Sequence, residues 1–454
     1  MDHWQPIAAI AIFGVAFALI ASEKVHRVAV VLGAAGLMTV LGLIPGSDVF
    51  YSPHAGIDWD VIFLLLGMMI IVGVLKQTGL FEFLGVWAAK ASKGRPYRLL
   101  VLLMLITAVA SPFVDNVTTV MLVAPVTIAV CRMLGFSPIP YLIAEVLAAN
   151  IGGAATLVGD PPNIIIASRA NLSYNDFLVH MLPITVIVFI AFVLLARVMF
   201  RTSFALAGTG GGGGAGGRGP VDTPPAILAL DARSKITDTR LLWRSLVVLA
   251  LVTVAFTLHA VIHVEPAIVA LLGAGAMVLV ARQPMSNVLR EVEWTTLVFF
   301  MGLFVMVGGL VDTGVIATVG GWAADWIDGD MLLASTVLIF GSAVLGAFFD
   351  NIPYVTAMSP IVEDIVASAS GAIGTDAVWW AFALGADFGG NGTAIAASAN
   401  IVVLAIAAKE GERISFWRFT KYGIVTTLMS VGLAWVYVWL RYFSGLLPAW
   451  MAAS

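Results

Sequence analysis

The sequence predicts an all-α polytopic membrane protein that consists of two inverted repeats, each with about five spans and one re-entrant helical hairpin. Three observations predict this fold: an apolar composition, long apolar segments along the whole chain, and a second half that repeats the first. Apolar residues make up 60% of the chain and charged residues only 11%, whereas a soluble domain carries about 25% charged residues. A soluble surface of this size needs far more charge, so the chain is expected to lie in a membrane.

Apolar segments of about 20 residues are the signature of membrane-spanning helices. Candidate spans cover residues 4–21, 27–44, 59–75, 140–168, 177–200, 242–262, 265–281, 293–311, 377–408 and 416–443. Two further apolar segments, 98–133 and 332–366, are each interrupted in the middle by polar residues and proline, which breaks a helix. These two segments are predicted to form helical hairpins.

The chain divides into a first repeat (1–200), a linker (201–240) and a second repeat (241–454). The linker contains the segment Gly208–Gly219, whose glycine-rich composition predicts a flexible connector. Basic residues fall on one side of the predicted spans, which places the linker in the cytoplasm and the N-terminus outside a cell membrane. These basic residues are Lys24, Arg27, Lys90, Lys93, Arg95, Arg98, Arg201, Arg218, Arg233, Lys235, Arg240, Arg244, Lys409, Arg413, Arg418 and Lys421.

The second half repeats the first at a shift of 235 residues. This shift superposes Trp59 on Trp294, Gly67 on Gly302, Trp87 on Trp322 and Asp115-Asn116 on Asp350-Asn351. A shift of 237 then aligns ANIGGAATLVGDPPN, from Ala149, with ADFGGNGTAIAASAN, from Ala386. Chance matches between apolar segments do not keep Trp, Asp-Asn and Asn in one register. An odd number of crossings in each half inverts the second copy, and inverted repeats are typical of secondary transporters.

Each half contributes two polar interruptions within apolar sequence. The first is the tip of the hairpin, and the second is a glycine-rich stretch whose unwound backbone is tolerated at membrane depth only inside protein or against a wet cavity. The predicted substrate- and ion-binding residues are Asp115, Asn116, Thr118, Asn150, Thr156, Asp160, Asn163, Asp350, Asn351, Asp387, Asn391, Thr393 and Asn400. The simpler interpretation makes the Asp and Asn residues helix caps. A carboxylate within the membrane costs at least about 2.5 kcal/mol, and the motif occurs twice, so a site is favoured.

The chemistry of these residues favours a cation. Carboxylates and amides dominate, and no Arg or Lys is predicted among them, so Na⁺ or H⁺ is the expected coupling or transported ion. Na⁺ is a candidate ligand at Asn116, Asn163, Asn351 and Asn400, and no other metal and no cofactor is expected. The chain has a single cysteine, Cys131, which excludes a disulfide framework and a thiolate cluster for arsenic. Arsenite would have to bind as the neutral hydroxide through hydrogen bonds. No basic cluster suggests a nucleic-acid partner.

Three segments resemble the ion transporter superfamily: FVDNVTTVMLVAPVTIAV (113–130), IAEVLAANIGGAATLVGDPPNIIIAS (143–168) and ALGADFGGNGTAIAASANIVV (383–403). They are most similar to the arsenite-permease/P-protein branch, and nearest to the melanosomal P protein. D-type Na⁺/H⁺ antiporters and divalent-anion/Na⁺ symporters are more distant members. The resemblance implies a scaffold and a mobile transport region, a homodimer and elevator-like alternating access. The tips read Asp-Asn-Val-Thr and Asp-Asn-Ile-Pro, where the symporters carry Ser-Asn-Thr.

The expected function is therefore an ion-gradient-driven permease of the arsenite-permease type, with a soluble ATPase as a candidate partner if the substrate is arsenite. One alternative is a Na⁺/H⁺ antiporter that titrates Asp115, Asp350 and Asp387. A second is a symporter of di- or tricarboxylates such as citrate, and a third is a passive channel. An intramembrane aspartyl protease that uses Asp115 and Asp160 is disfavoured, because a protease gains nothing from a duplicated pair. No enzymatic activity is expected.

Overall fold

The structure is a computed structural model that describes residues 4–21, 24–52, 55–201, 203, 231–369 and 374–446. Helices make up almost all of this part of the chain. The helices of the first half are α1 (Trp4–Ala21), α2 (Arg27–Val40), α3 (Gly46–Tyr51), α4 (Trp59–Lys76), α5 (Leu80–Ser92), α6 (Pro96–Val114), α7 (Asn116–Leu134), α8 (Ile139–Gly153), α9 (Pro161–Ala170), α10 (Tyr174–His180) and α11 (Leu182–Met199). The predicted flexible connector Gly208–Gly219 lies outside the described residues.

The second half begins with a 3₁₀ turn (Ala232–Lys235) and ends with a π-helical turn (Trp439–Phe443). Its helices are α12 (Thr239–Ile262), α13 (Pro266–Ala281), α14 (Met285–Arg290), α15 (Trp294–Asp312), α16 (Val315–Ile327), α17 (Met331–Phe348), α18 (Asn351–Ser368), α19 (Thr375–Gly389), α20 (Ser398–Lys409) and α21 (Phe416–Val438). Within the described residues, eight helices are long and apolar enough to cross a membrane. The polytopic all-α prediction is confirmed.

The structure differs from the predicted spans at several places. The span predicted at 27–44 ends at Val40, because Gly42 adopts a positive φ of 68°. The spans predicted at 140–168 and 377–408 are each divided into two helices by a non-helical segment. Two 13-residue helices, α5 and α16, lie where no span was predicted; they are too short to cross a bilayer core of about 30 Å.

The two halves have matching helix boundaries. The pairs α4 and α15, α5 and α16, α6 and α17, and α7 and α18 each begin 235 residues apart. In the first half α6 and α7 form a hairpin that turns at one residue. In the second half α17 and α18 form a hairpin that turns within two residues. The remaining apolar elements of the first half are the two shorter helices α1 and α2, the long helices α4 and α11, and the broken helix α8–α9. Counted as one crossing each, they make five. This odd number agrees with the predicted inversion of the second copy.

The helices pack as two bodies that both draw on the two halves. The six-helix body consists of α1, α2, α4, α12, α13 and α15. In it α2 packs against α15, and the corresponding contact with the halves exchanged is that of α13 against α4. The hairpin body contains the two hairpins, the broken helices α8–α9 and α19–α20, and the outer helices α11 and α21. There α6 packs on α8, α17 on α19, and α20 on both α7 and α8. The two repeats are therefore interlocked, and residues distant in sequence meet in the centre.

Glycine allows a close contact between two helices in each half of the hairpin body. Gly152 on α8 lies against the backbone of Ala108 on α6, where a Cβ atom would overlap the chain. Its repeat equivalent, Gly389 on α19, lies in the same way against Ala343 on α17. This contact brings each hairpin tip to the break of the neighbouring helix.

Candidate functional site

The tip of the first hairpin is a single residue, Asp115. Its Oδ1 accepts a hydrogen bond from the Thr118 backbone N–H at 2.8 Å, and its Oδ2 accepts one from the Thr118 hydroxyl at 2.8 Å. The carboxylate thus caps the start of α7. Asp115 also has φ 66° and ψ 156°, a region that is occupied almost only by glycine and that costs about 1–3 kcal/mol. A non-glycine residue held in this conformation is typical of a functional position.

The tip of the second hairpin carries Asp350, which has a different environment. Its carboxylate accepts hydrogen bonds from the Ser398 hydroxyl at 2.8 Å and from the Ile352 backbone N–H at 3.2 Å. The Arg27 guanidinium lies 3.9 Å from Asp350 Oδ2 and donates to the Ser398 hydroxyl at 3.3 Å. Asp350 therefore has a cationic partner, whereas Asp115 is bonded only within its own tip among the described residues.

Behind the tips lies a buried cluster of amides and carboxylates. The Asn116 side-chain amide donates to Asn150 Oδ1 at 3.2 Å and to Asp160 Oδ2 at 2.9 Å. The Asn150 amide in turn donates to Asn391 Oδ1 and to Asn400 Oδ1, each at 3.1 Å. All five side chains are buried. One chain of hydrogen bonds thus joins the first hairpin tip to the broken helices of both repeats.

Two threonines hold the hairpins to these broken helices in equivalent ways. The Thr156 hydroxyl donates to the Pro112 carbonyl at 2.6 Å, and the Thr393 hydroxyl donates to the Ala347 carbonyl at 2.5 Å. The acceptors are the last turns of α6 and α17, which otherwise have unpaired carbonyl groups. Thr156 and Thr393 are therefore structural donors in this conformation.

Asn163 and Asn400 also have equivalent positions. The Asn163 amide donates to the Thr156 carbonyl at 3.1 Å, and the Asn400 amide donates to the Thr393 carbonyl at 2.9 Å. Asn351 is buried at the second tip, and its backbone N–H donates to the Ala396 carbonyl at 3.2 Å. The structure thus brings all the predicted residues to the two tips and the buried cluster; their role in binding stays a prediction.

Two buried oxygen atoms in the cluster, Asn116 Oδ1 and Asn163 Oδ1, have no hydrogen-bond partner among the described residues. The buried Asp387 carboxylate has the Asn163 side chain beside it as a hydrogen-bonding group. A buried acceptor without a partner costs about 1–3 kcal/mol, and more if it is charged. These oxygens fit a hard cation such as Na⁺, which prefers oxygen ligands, or a proton. The residues present therefore suit the predicted ion.

A cavity of about 710 Å³ opens between the six-helix body and the hairpin tips, and it is called the first cavity below. Of the predicted residues, only Asp115 and Asp350 line it. It also contains Arg27, Glu293 and Ser398, which the sequence analysis did not select. The sequence analysis expected no buried Arg or Lys at the site, and the Arg27 side chain at this cavity is 36% exposed. Arg27 was interpreted as a loop charge, because its partners lie more than 300 residues away in sequence.

One of the missed residues carried a signal in the sequence. Glu293 precedes Trp294 at the start of α15, as Asp58 precedes Trp59 at the start of α4, so the repeat alignment pairs the two acids. Asp58 caps α4 through the Val61 N–H at 3.1 Å. Glu293 makes no side-chain cap, and its Oε1 is buried without a partner among the described residues. Because the Glu293 carboxylate does not cap α15, it can interact with an ion or solute in the first cavity.

A second cavity, of about 540 Å³, lies where the repeat relation places a counterpart of the first. Its lining includes Asp60, Leu64, Ile164 and Glu265. The equivalents of these residues at shifts of 235 to 239 are Thr295, Phe299, Ile401 and His26, which line the first cavity. None of the predicted site residues lines the second cavity. Only one of two related cavities therefore reaches the hairpin tips.

The chain matches the family model described as citrate transporter over residues 17–385. An uncharacterized transporter of Mycobacterium tuberculosis is 50% identical over 438 residues, which cover 96% of this chain and 99% of the relative. The 46 kDa membrane protein of Mycobacterium leprae is 48% identical over 436 residues, with coverage of 96% and 99%. The human P protein is 32% identical over 501 residues, which cover 96% of this chain but 60% of the P protein.

The crystal structure of the YdaH transporter of Alcanivorax borkumensis, described as having an unusual topology, is similar to this fold. Its TM-score is 0.60 at 16% sequence identity, and the match covers 89% of this chain and 88% of that structure. At this identity the likeness shows the fold alone. The resemblance to the ion transporter superfamily is confirmed by these matches together.

Proposed function

This chain belongs to the citrate transporter family, and we propose that it is a secondary active transporter that couples a small anion or oxyacid to Na⁺ or H⁺. It is a multi-pass membrane transporter, and its relatives are transporters. The observation that carries the proposal is the meeting of the first hairpin tip and both broken helices in one buried polar cluster, beside a cavity that the acids of both tips line.

The site offers binding groups of both signs. The helices α7, α9, α18 and α20 all begin at the cluster, and helix N-termini favour anions. Arg27 is the only Arg or Lys among the described residues that line the first cavity, and it adds a fixed positive charge. Asp115 and Glu293 in the cavity, with Asp160 and Asp387 behind it, favour a cation. An anion and a coupling cation can therefore bind side by side.

Two related cavities support alternating access. In this structure Asp115 and Asp350 line the first cavity, and neither of them lines the second. In the opposite state each repeat would adopt the conformation that the other repeat has here. The second cavity would then reach the tips, and the first would close. The hairpin body is the element that moves in this proposal, and the six-helix body is the scaffold of a homodimer with an elevator-like mechanism.

The orientation of the chain gives the direction that the first cavity faces. The end of α1, the start of α2 with Arg27, and the start of α15 line this cavity. Basic residues favour the cytoplasmic side. The structure is therefore assigned to an inward-facing state in the cell membrane, with the N-terminus outside.

A second candidate function is Na⁺/H⁺ antiport. The first cavity contains three carboxylates, Asp115, Glu293 and Asp350, and Arg27 is the one Arg or Lys that the structure describes in its lining. Such a lining favours cations over a multiply charged anion. An antiporter needs no separate substrate, because Na⁺ and H⁺ compete for the same carboxylates. The excess of carboxylates is the observation that keeps this alternative open beside transport of arsenite, citrate or another anion.

The deciding experiment is flux in proteoliposomes with an imposed Na⁺ or H⁺ gradient, a pH dye inside, and arsenite, citrate and sulfate as trial substrates. Accumulation of one solute that depends on the gradient supports the coupled permease. A pH change on addition of Na⁺, with no solute flux, supports the antiporter. Solute movement that never exceeds equilibrium would indicate a passive channel and refute the proposal.

Variants at the two tips test the site. Asn116→Ala removes the bonds to Asn150 and Asp160, and Asn351→Ala changes the equivalent position of the other repeat. Each variant is expected to abolish flux while the purified protein keeps its folded yield. Flux at the level of the unmodified protein in either variant would mean that the residue has only a structural role at its hairpin tip.

A further inference from the structure

The short helix α10 connects the two bodies of the protein on the side of the second cavity. It follows the broken helix α8–α9 in the chain, and it packs against α11 of the hairpin body and α12 of the six-helix body. The second repeat has no equivalent element, because the described chain between α20 and α21 forms no helix. The contact between α10 and α12 therefore occurs on only one face of the protein.

Three interactions form this α10–α12 contact. The Tyr174 backbone N–H donates to His259 Nε2 at 3.2 Å, and the Asn175 side-chain amide donates to the Thr257 carbonyl at 2.7 Å. The Tyr174 ring stacks on the Phe256 ring with the centroids 5.4 Å apart, and both rings are buried. The hairpin body cannot carry α10 away from α12 without losing all three interactions.

The first of these interactions depends on the charge of His259. An imidazole nitrogen accepts a hydrogen bond only when it carries no proton, and both ring nitrogens of an imidazolium are donors. Tyr174 is the first residue of α10, so its N–H group has no acceptor inside the helix. A proton on His259 Nε2 would therefore place two N–H groups against each other. Histidine is the side chain that changes its charge between about pH 5 and pH 8.

The surroundings of His259 can accept a positive charge. His259 lines the second cavity together with Asp60 and Glu265, and the described lining of this cavity contains no Arg or Lys. These two carboxylates are acceptors for the N–H groups of a protonated ring. The titratable groups on this face are Asp58 and Asp60 at the start of α4, Asp176 in the first turn of α10, and His263 and Glu265 between α12 and α13.

We propose that the α10–α12 contact is a pH-sensitive latch, which holds the hairpin body to the six-helix body while His259 is neutral and is released when His259 binds a proton. This inference rests on the proposed alternating access and gives its regulation. In the proposed orientation the latch faces the outside of the cell, so an acidic medium favours opening of the second cavity. His259 is separate from the buried cluster, since none of the predicted site residues lines the second cavity.

The test is the distance between two spin labels, measured by pulsed electron paramagnetic resonance on purified protein at about pH 8 and about pH 5. The labels are attached at Val179→Cys on α10 and Leu258→Cys on α12 in a Cys131→Ala background, and both labelled positions are half-exposed. One distance is expected at the higher pH, and a second, longer distance at the lower pH. The ratio of released to latched molecules should rise about 5-fold or more, because the Tyr174 N–H group loses its acceptor.

Three variants identify the group that responds to pH. In His259→Gln the side-chain carbonyl can accept the Tyr174 N–H but does not titrate, so the latched distance should persist at both pH values. His259→Ala has no acceptor and should show the longer distance at both pH values. His263→Gln is the matched control, because it removes the other histidine that lines the second cavity, and it should keep the pH response of the unmodified protein.

The outcomes separate the latch from the proposed function. A distance that does not change with pH in the spin-labelled protein with both histidines would overturn the latch, and so would an unchanged pH response in His259→Gln or a lost response in His263→Gln. These three comparisons decide even if His259→Ala does not fold. The distance is measured without transport, so a protein that shows the pH response but no gradient-driven flux would refute only the coupled transport.

Discussion

Replacement of Arg27 by Gln should shift the protein away from the state described here. Arg27 begins α2 in the six-helix body, and its partners Asp350 and Ser398 belong to the hairpin body. This contact therefore exists only while the two bodies keep their present positions. No equivalent contact is available in the other repeat, because the residues that correspond to Arg27 and Asp350 are Pro266 and Asp115.

The magnitude follows from the geometry of the pair. At 3.9 Å and an effective dielectric constant of about 20, the Coulomb energy is about 4 kcal/mol. The Arg27 side chain is 36% exposed and that of Asp350 is 14% exposed, so solvent screening and desolvation reduce the net value to about 1–2 kcal/mol. A free energy of this size changes the ratio of two states by a factor of about 5–30.

The assay is the labelling rate of a single introduced cysteine with a hydrophilic maleimide. The only native cysteine is replaced by Cys131→Ala, and the reporter is Ile395→Cys in the first cavity or Leu157→Cys in the second. Arg27→Gln should slow labelling at position 395 and speed it at position 157, so that the ratio of the two rates changes about 5–30-fold. Arg27→Lys keeps the charge and should have a smaller effect.

Lys76→Gln provides the matched control. Lys76 lies 2.9 Å from Glu291, and both residues belong to the six-helix body or its connecting loop, so the loss of this pair should leave the ratio unchanged. An unaltered ratio in Arg27→Gln, or an equal change in Lys76→Gln, would refute the assignment of Arg27 as the contact that stabilises this state.

Three further predictions concern stability, which a thiol-reactive dye reports as heating exposes the buried Cys131. Thr156→Val and Thr393→Val each leave a hairpin carbonyl without its hydroxyl donor, and each should lower the free energy of unfolding by about 1–3 kcal/mol; unchanged melting would show that the carbonyls find other donors. Asp115→Gly should be more stable than Asp115→Ala by about 1–3 kcal/mol, because only glycine tolerates this backbone conformation; equal melting would mean that the tip is unstrained. The Leu241 backbone N–H lowers the pKa of Asp238, so this carboxylate stabilises the folded state above about pH 4 and loses that effect as pH falls. Asp238→Asn should therefore melt with a weaker dependence on pH in the acid range, and an unchanged dependence would contradict this.

The sequence by itself determined the fold class, the duplication and the residues of the buried cluster. Local patterns along the chain indicate these features: apolar segments long enough to cross a bilayer, proline and Asp-Asn at the hairpin tips, and glycine with Asn in the broken helices. The repeat helps to identify the site residues, because Asn116 and Asn351 occupy equivalent positions in the two halves. Helix ends were less accurate, since a turn at Gly42 or a short helix such as α5 leaves a weak signal in an apolar chain.

Only the tertiary structure decided which of these residues face one another and which are already satisfied. The sequence treats Asn163 and Asn400 as equals, yet Asn400 Oδ1 accepts the Asn150 amide, whereas Asn163 Oδ1 has no partner among the described residues. It also gives no indication that Arg27 reaches a partner 371 residues away at Ser398. The physical reason is that the two halves interlock, with α2 against α15 and α13 against α4. Hydrogen bonds and charge pairs between halves depend on that packing, and no local pattern along the chain encodes it.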